Sequence, residues 1–208
     1  MQTRPYPEKN GIRIWLSRSE QQRVLEAADD EPRHRIALHL GLHGLRTQEL
    51  VQIAPEHVRE LSNGAEGHVV IVPDGKSGKR ELPISNDLQQ SIHYLTSAAR
   101  LRQDEAIVDV TRRSVRNWIA TARDRILDED DDVRSEWSEL GMHDLRRSWA
   151  TDAYYSLALA GVPIAEELTM SWGGWKHTST GRETFRENYL GPVPDHVTAE
   201  ALEHLPMV

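Results

Sequence analysis

The chain has 208 residues, of which 38% are apolar and 28% are charged, and this composition excludes a chain that is disordered throughout. Its 25 lysines and arginines stand against 33 aspartates and glutamates, and the resulting net charge of −8 excludes a uniformly basic nucleic-acid-binding protein. The sequence contains no cysteine, which excludes a disulfide framework, a thiolate zinc site and a cysteine nucleophile.

The first residues predict no regular element. Residues 1–11 contain two prolines and no apolar periodicity, so we expect an extended arm or a linker there. They also lack the apolar centre of a signal peptide, and no stretch of the chain reaches the roughly 18 consecutive apolar residues of a membrane span. We therefore expect a cytoplasmic protein without membrane contact.

Apolar residues then recur with a helical period. The first predicted helix begins at Ser17 as N-cap, with Glu20 at the capping-box position. The second runs from Pro32 to a stop at Gly44, and the third begins near Thr47 and is ended by Pro55.

The pattern changes to a period of two at residues 68–84, which predicts a β-hairpin with its turn over residues 74–78. An acidic run at residues 128–132 predicts a solvated loop. The remaining helices are predicted over residues 86–99, 111–127, 143–160, 165–172 and 183–189. The fold class is therefore mainly α with a small antiparallel β-sheet (α+β), in one domain.

Two local features in the first half could carry chemistry. Arg46 follows a glycine and precedes a helix, so its guanidinium could bind an oxyanion, although a surface arginine at a helix junction fits as well. The hairpin turn carries Lys76 and Lys79. A lysine in such a loop can donate a proton if its pKa is lowered, but a solvated charged turn is the simpler alternative.

Three further features lie in the second half. His143 and Arg146 are spaced i and i+3, so both could address one phosphate from a single helical face. Trp175 follows two glycines and could donate from its indole N–H, and Tyr189 ends a predicted helix with a potentially nucleophilic hydroxyl. Each of these residues could equally be structural when considered alone.

Considered in order along the chain, the features resemble the catalytic domain of the tyrosine recombinases, the phage integrase family. Residues 44–50, Gly-Leu-Arg-Thr-Gln-Glu-Leu, are similar to the first box of the family, and residues 75–79 to its hairpin lysine turn. Residues 143–151, His-Asp-Leu-Arg-Arg-Ser-Trp-Ala-Thr, are similar to the second box, which is the most specific of these motifs. The ending, with Gly-Gly-Trp at residues 173–175 and Phe-Arg-Glu-Asn-Tyr-Leu-Gly at residues 185–191, resembles integrases of haloarchaea or archaeal viruses.

The resemblance implies an enzyme that cuts and rejoins DNA strands through a 3′-phosphotyrosyl intermediate. The tyrosine would attack the phosphate, the two arginines would clamp its oxygens, and the lysine would protonate the 5′-hydroxyl leaving group. The histidine and the tryptophan would donate hydrogen bonds. The implied catalytic residues are Arg46, Lys76, His143, Arg146, Trp175 and Tyr189.

Two residues have supporting roles in this interpretation. Glu49, one helical turn from Arg46, would orient that arginine. His177 is an alternative to Trp175 as the hydrogen-bond donor, because the segment before Tyr189 is a few residues longer than is usual in the family; Trp175 is favoured because Gly174 precedes it. We expect no cofactor and no metal.

The expected partners are double-stranded DNA and further copies of the chain, since family members usually act as tetramers. The predicted DNA contacts are Lys79, Arg80, Arg112, Arg113, Arg116 and Arg147. An alternative function remains open, namely a recombinase-like regulator that binds DNA but cuts it weakly or not at all. A topoisomerase with the same chemistry would relax supercoils without preference for a site.

The resemblance divides the chain into an arm or linker (residues 1–15), a catalytic domain (residues 16–191) and a C-terminal tail (residues 192–208). The tail has apolar residues at helical spacing, so it is either a segment exchanged between protomers or a flexible end. The first 15 residues are too few for the separate core-binding domain of the family. We therefore expect either a catalytic fragment or a minimal protein.

Overall fold

The computed structural model describes residues 1–28, 31–75, 78–129 and 134–205. This part of the chain is mainly helical with two small antiparallel sheets, as predicted. The helices are α1 (Arg18–Glu26), α2 (Pro32–Leu42), α3 (Thr47–Leu50), α4 (Asn86–Ala99), α5 (Arg112–Glu129), α6 (Met142–Leu159), α7 (Ala165–Gly173), α8 (Ser179–Asn188) and α9 (Asp195–Leu202). The strands are β1 (Gln2–Pro5), β2 (Ile12–Trp15), β3 (Val58–Glu60), β4 (His68–Val72) and β5 (Arg80–Ile84), and short 3-10 helices cover Pro55–His57 and Ser135–Glu139. Among these described helices, none combines the length and the apolar character that crossing a membrane requires.

Local sequence signals explain the first helices. The predicted capping box of α1 is confirmed: the Ser17 backbone N–H donates to Glu20 Oε2 (2.7 Å), and the Ser17 side chain accepts from the Glu20 N–H. Helix α2 begins at Pro32 and ends before Gly44, whose φ of +87° is in the left-handed region. Helix α3 is shorter than predicted. The backbone turns away after it, and the Ile53 carbonyl accepts from the Ile107 N–H (2.8 Å) instead of continuing a helix.

The predicted hairpin is confirmed as β4 and β5, which pair antiparallel with Val70 opposite Leu82. Strand β3 pairs with the other edge of β4. The sequence did not predict β3, because three residues of which two are charged show no measurable alternation.

The N-terminal segment differs from the expected arm or linker. Strands β1 and β2 form an antiparallel hairpin, and Ile14 on β2 is fully buried in the main core. The physical reason is that the buried positions lie on β2 alone, whereas the sequence of β1, Gln-Thr-Arg-Pro, is polar and gives no strand signal.

Two other segments also depart from expectation. Helix α5 extends through Asp128 and Glu129, so the predicted acidic loop is wrong for these two residues, and residues 130–132 lie outside the described part of the chain. In the C-terminal tail, α9 packs on α6 of the same chain through the buried Val197. The domain boundaries stay predictions.

Two apolar clusters hold these elements together. The larger one contains side chains from the N-terminal hairpin, α1, α2, the three-stranded sheet, α4, α5 and the start of α6. The smaller one is largely aromatic and joins α6, α7 and the end of α8, with the members Trp149, Ala150, Met170, Trp175, Phe185 and Tyr189. The smaller cluster therefore contains two of the predicted catalytic side chains.

Candidate active site

Arg46 is held at the start of α3 by a carboxylate from the same helix. Its backbone N–H donates to Glu49 Oε2 and its Nη1 donates to Glu49 Oε1, both at 2.8 Å. The preceding turn requires Gly44, because a Cβ there would lie 2.4 Å from the Trp149 ring. These contacts fix the direction in which the half-buried Arg46 guanidinium points.

Glu49 also binds Arg80 from strand β5. The Arg80 guanidinium donates to both carboxylate oxygens, at 2.9 and 2.8 Å, and the Glu49 side chain is fully buried. Desolvation opposes ionisation of Glu49, but the hydrogen bonds and charges of Arg80 and Arg46 outweigh it and lower its pKa to about 2. Glu49 is therefore a buried carboxylate shared by two arginines.

Arg146 on α6 is completely buried. Its Nη1 donates to the Gly44 carbonyl and its Nη2 to the Gly173 carbonyl (2.6 Å), while Cζ lies 4.1 Å from the centre of the Trp175 ring. Burial first, and the charge of Arg46 second, lower the pKa of Arg146 to about 9. The guanidinium remains charged at neutral pH and is poorly neutralised, which suits a group that binds an anion.

The C-terminus of α7 gathers the three arginines. The carbonyls of residues 172–174 accept hydrogen bonds from Arg80 (2.7 Å), Arg146 (2.6 Å) and Arg46 (3.4 Å), in that order. The last carbonyls of a helix lack partners within the helix and carry its negative dipole end. This end of α7 therefore binds the cations and at the same time leads directly into Trp175.

Tyr189 follows the last residue of α8 and faces this cationic cluster. Its ring centre lies 4.6 Å from that of Trp175 and 5.2 Å from that of His143, and Arg146 Cζ lies 5.4 Å from it. The tyrosine is 9% exposed. Four of the predicted catalytic side chains thus converge, although they are up to 46 positions apart in the sequence.

His143 opens onto a cleft beside this cluster. Desolvation first, and then the charges of Arg147, Arg146 and Arg46, lower the pKa of His143 to about 3. The imidazole is therefore neutral over the physiological range, and it can donate one hydrogen bond or accept a proton.

The lowered pKa of His143 predicts how activity responds to pH. For the DNA-cutting activity that the sequence resemblance implies, we expect His143→Gln to reduce the second-order rate constant of covalent adduct formation by roughly 100-fold, because a positioned hydrogen-bonding group is lost. The reduction should be equal at pH 5.5 and pH 8, since the imidazole is uncharged at both. A ratio of wild-type to variant rates that changes through pH 6.5 would show that His143 titrates there and would contradict the assignment.

The cleft has a volume of about 490 Å³, and its lining contains four arginines and two carboxylates, Glu139 and Asp144. Its lining includes Tyr6, Arg46, Arg116, Arg123, His143 and Arg146. The sequence analysis missed Tyr6 and Arg123. The spacing of Arg123, seven residues after Arg116 on a helix, could have placed the two on one face, whereas no signal in the N-terminal segment pointed to Tyr6.

The other predicted site residues fall into three groups. Arg112, Arg113, Arg116 and Lys79 are exposed, and their contact with DNA stays a prediction. His177 is exposed as well, but its Nε2 lies 3.0 Å from Ser171 Oγ, while Trp175 occupies the cluster. Lys76 lies outside the described residues.

Arg80 and Arg147 have largely buried side chains, and their predicted contact with DNA stays a prediction. Arg80 is paired with Glu49 as described, and Arg147 Nη1 donates to Asp144 Oδ1 (2.5 Å) with both side chains buried. In both arginines the Nε, Nη1 and Nη2 atoms each already donate to a protein acceptor. We assign both arginines to holding the site together.

Comparison with known proteins gives structural matches only. No protein-family model and no curated protein sequence matches the chain. The solved structure of XerA recombinase is 17% identical, covers 94% of this chain and 66% of its own, and superposes with a TM-score of 0.65. XerH site-specific recombinase bound to its difH substrate is 18% identical, with a TM-score of 0.60 over 90% of this chain and 53% of its own. A lambda integrase dimer bound to a core site is 18% identical, with a TM-score of 0.56 over 88% of this chain and 51% of its own.

The fold is that of the tyrosine recombinase catalytic domain. At this level of identity the likeness concerns the fold, and the chain spans between about half and 66% of the length of these structures. The sequence motifs and the structural matches indicate the same fold.

Proposed function

We propose that the protein is a site-specific DNA recombinase or integrase that cuts and rejoins strands through a 3′-phosphotyrosyl bond on Tyr189. The observation that carries the proposal is the convergence of Arg146, His143 and Trp175 on this one tyrosine, with Arg46 in the lining of the cleft that Arg146 and His143 share. DNA is proposed as the substrate because two of the matched structures were solved bound to their DNA sites.

Each of these residues has a separate role in the proposed transesterification. The Tyr189 hydroxyl oxygen forms a bond to phosphorus and loses its proton, while the bond from phosphorus to the 5′ oxygen breaks. Arg46 and Arg146 bind the non-bridging oxygens, where charge accumulates in the transition state. The neutral imidazole of His143 can hydrogen-bond the phenol, whose proton passes to solvent, and we propose Lys76 as the donor to the leaving 5′ oxygen on the basis of the family resemblance.

The released 5′-hydroxyl of another strand can reverse the same step. It attacks the phosphotyrosyl bond, the tyrosine leaves and recovers a proton, and a new phosphodiester forms. The energy of the original bond is conserved, so the exchange needs no nucleotide cofactor. We propose a homotetramer on two duplexes as the assembly, with α5 of each subunit facing DNA through the exposed Arg112, Arg113 and Arg116.

Covalent trapping tests the proposal. The probe is a pool of duplexes with randomised sequence and a nick near the cut position, so that a short released strand diffuses away and leaves the protein attached. We expect a denaturant-resistant adduct with the wild type and none with Tyr189→Phe. The matched control is Tyr94→Phe, which removes the hydroxyl of an exposed tyrosine on α4 and should leave adduct formation unchanged.

Three outcomes would contradict the proposal. An adduct that persists in Tyr189→Phe would place the chemistry on another residue. Binding of the pool without any adduct in the wild type would favour the alternative function, a DNA-binding regulator of the same fold. Relaxation of supercoiled plasmid without preference for a site would instead indicate a topoisomerase.

A further inference from the structure

The N-terminal hairpin β1–β2 contacts the backbone on which Tyr189 is carried. Arg13 Nη1 donates to the Glu187 carbonyl at 2.7 Å, and Trp15 Nε1 donates to the Tyr189 carbonyl at 2.8 Å. Both acceptors lie at the end of α8, where carbonyls have no partner within the helix. The hairpin therefore supplies donors that the helix itself lacks.

The carbonyl between these two, that of Asn188, is bound by Arg147, and Arg147 in turn contacts the hairpin. Arg147 Nε donates to the Asn188 carbonyl at 3.0 Å, and Arg147 Nη2 donates to the Tyr6 hydroxyl at 3.0 Å. Tyr6 lies in the connection between β1 and β2. Three consecutive carbonyls, at residues 187–189, are thus bound by side chains that belong to the hairpin or contact it.

The hairpin also packs closely against the segment that follows Tyr189. Trp15 is 3% exposed, and a Cβ at Gly191 would lie 2.7 Å from its ring, so the segment after Tyr189 passes directly against the indole. Thr151 on α6 donates to the Tyr189 carbonyl at 3.0 Å and accepts from the Gly191 N–H at 2.8 Å. The backbone of Tyr189 is fixed from one side while its ring packs on Trp175 and His143 on the other.

We propose that this hairpin is a positioning element for the nucleophile, with Arg13 and Trp15 as its positioning residues. They touch neither phosphate nor the reacting oxygen, and they act through the backbone that sets the place of the Tyr189 ring. A misplacement of about 1 Å in a reacting group can cost roughly 100-fold in rate. The proposal rests on the proposed function, because it assigns its role through Tyr189 as nucleophile.

The first experiment separates positioning from folding. Trp15→Phe removes the indole N–H and keeps an aromatic ring, and we expect the rate of adduct formation with the nicked pool at saturating DNA to fall about 10- to 100-fold. DNA affinity, measured in a Tyr189→Phe background, should be unchanged. The matched control is Trp137→Phe, which shortens a tryptophan that is likewise 3% exposed but belongs to the main core; it should lose similar stability without losing rate.

A second pair of variants covers the case in which Trp15→Phe does not fold. Arg13→Gln removes the donor to the Glu187 carbonyl, whereas Arg102→Gln removes an exposed arginine that pairs with Asp104. We expect Arg13→Gln to lower the rate at least several-fold and Arg102→Gln to leave it unchanged. Equal rates for Arg13→Gln and wild type would overturn the proposal.

A ¹⁹F NMR measurement on the protein without DNA tests the proposal independently of catalytic activity. The chain has five tyrosines, and incorporation of fluorotyrosine gives each a ¹⁹F resonance, with that of Tyr189 assigned by its loss in Tyr189→Phe. We expect Trp15→Phe to shift or broaden the Tyr189 resonance and to leave that of Tyr94 in place. An unchanged Tyr189 resonance would overturn the proposal, whereas a changed resonance in a protein that forms no adduct would overturn the proposed function alone.

Discussion

Replacement of Arg146 by methionine is expected to reduce covalent adduct formation by about 100- to 1,000-fold, while the free energy of unfolding falls by no more than about 2 kcal/mol. The loss of rate follows from the place of Arg146, which lies beside Tyr189 and Trp175 and carries a charge with no carboxylate hydrogen-bonded to it among the described residues. A donor aimed at the developing charge of the phosphate is then missing.

The small change in stability follows from two opposing contributions. Methionine leaves the carbonyls of Gly44 and Gly173 without their donors, at a cost of roughly 1 to 3 kcal/mol each. Removal of the charge relieves a desolvation penalty of several kcal/mol and the repulsion from Arg46 and Arg80, which together lower the pKa of Arg146 to about 9. The two contributions are of similar size.

Adduct trapping and urea denaturation measure the two quantities separately. Arg102→Met is the control, because Arg102 is 75% exposed, pairs with Asp104 and lies outside the cleft lining; neither quantity should change. An Arg146→Met variant that still forms adduct at the wild-type rate would remove Arg146 from the mechanism. A folded variant with an intact rate of binding DNA but no adduct would agree with the proposed role.

The second large effect concerns the carboxylate that Arg46 and Arg80 share. We expect Glu49→Gln to lower the free energy of unfolding by about 3 to 5 kcal/mol, because a neutral amide leaves two guanidinium groups without their counter-charge. Adduct formation should fall as well, since Arg46 loses the contacts that orient it. Urea denaturation near pH 7 measures the first effect.

The lowered pKa of Glu49 predicts how the stability difference between wild type and Glu49→Gln changes with pH. The pKa of Glu49 is lowered to about 2 in the folded protein from an ordinary value near 4.5, so its stabilisation is complete above pH 4.5 and is lost as the pH falls towards 2. The difference in stability between wild type and Glu49→Gln should shrink over this interval. A difference that is constant from pH 5 to pH 2.5 would contradict the assignment.

Glu81→Gln is the matched control for Glu49→Gln. Glu81 also pairs with an arginine, Arg59, but both side chains are more than a third exposed. We expect a loss below about 1 kcal/mol, because solvent screens the pair. Comparable losses for Glu49→Gln and Glu81→Gln would show that burial does not determine the effect.

The elements predicted well from the sequence are those whose signals are local. Helix α4 has the predicted bounds, since Ser85 caps its start, and the β4–β5 hairpin is marked by alternation and turn residues. Strands β1 and β3 could not be predicted in the same way, because what makes each a strand is its pairing with β2 or β4.

The candidate site shows the same difference between local sequence signals and contacts between distant segments. Order along the chain placed Arg46, His143, Arg146, Trp175 and Tyr189 in one motif set. In the structure the first three line one cleft, and Trp175 and Tyr189 pack against Arg146. Arg80 was interpreted as a DNA contact because its partner Glu49 lies 31 positions away and nothing in the sequence links them. The pair of Asp144 and Arg147 was open to prediction, since i and i+3 spacing on a helix favours an ion pair.

The N-terminal contribution could not be predicted at all. Arg13 and Trp15 bind backbone carbonyls some 174 positions away, and a backbone carbonyl has no signature in the sequence. Only folding of both segments against α6 reveals that the hairpin supports the end of α8.

The location of the covalent bond tests the central claim most directly. Trypsin cuts after Arg186, and residues 187–208 contain no further lysine or arginine, so Tyr189 is the single tyrosine of the final peptide. After nuclease digestion of the trapped adduct, we predict that mass spectrometry finds the remaining nucleotide on Tyr189 of this peptide. A nucleotide on any other residue would contradict the assignment of Tyr189 as the nucleophile.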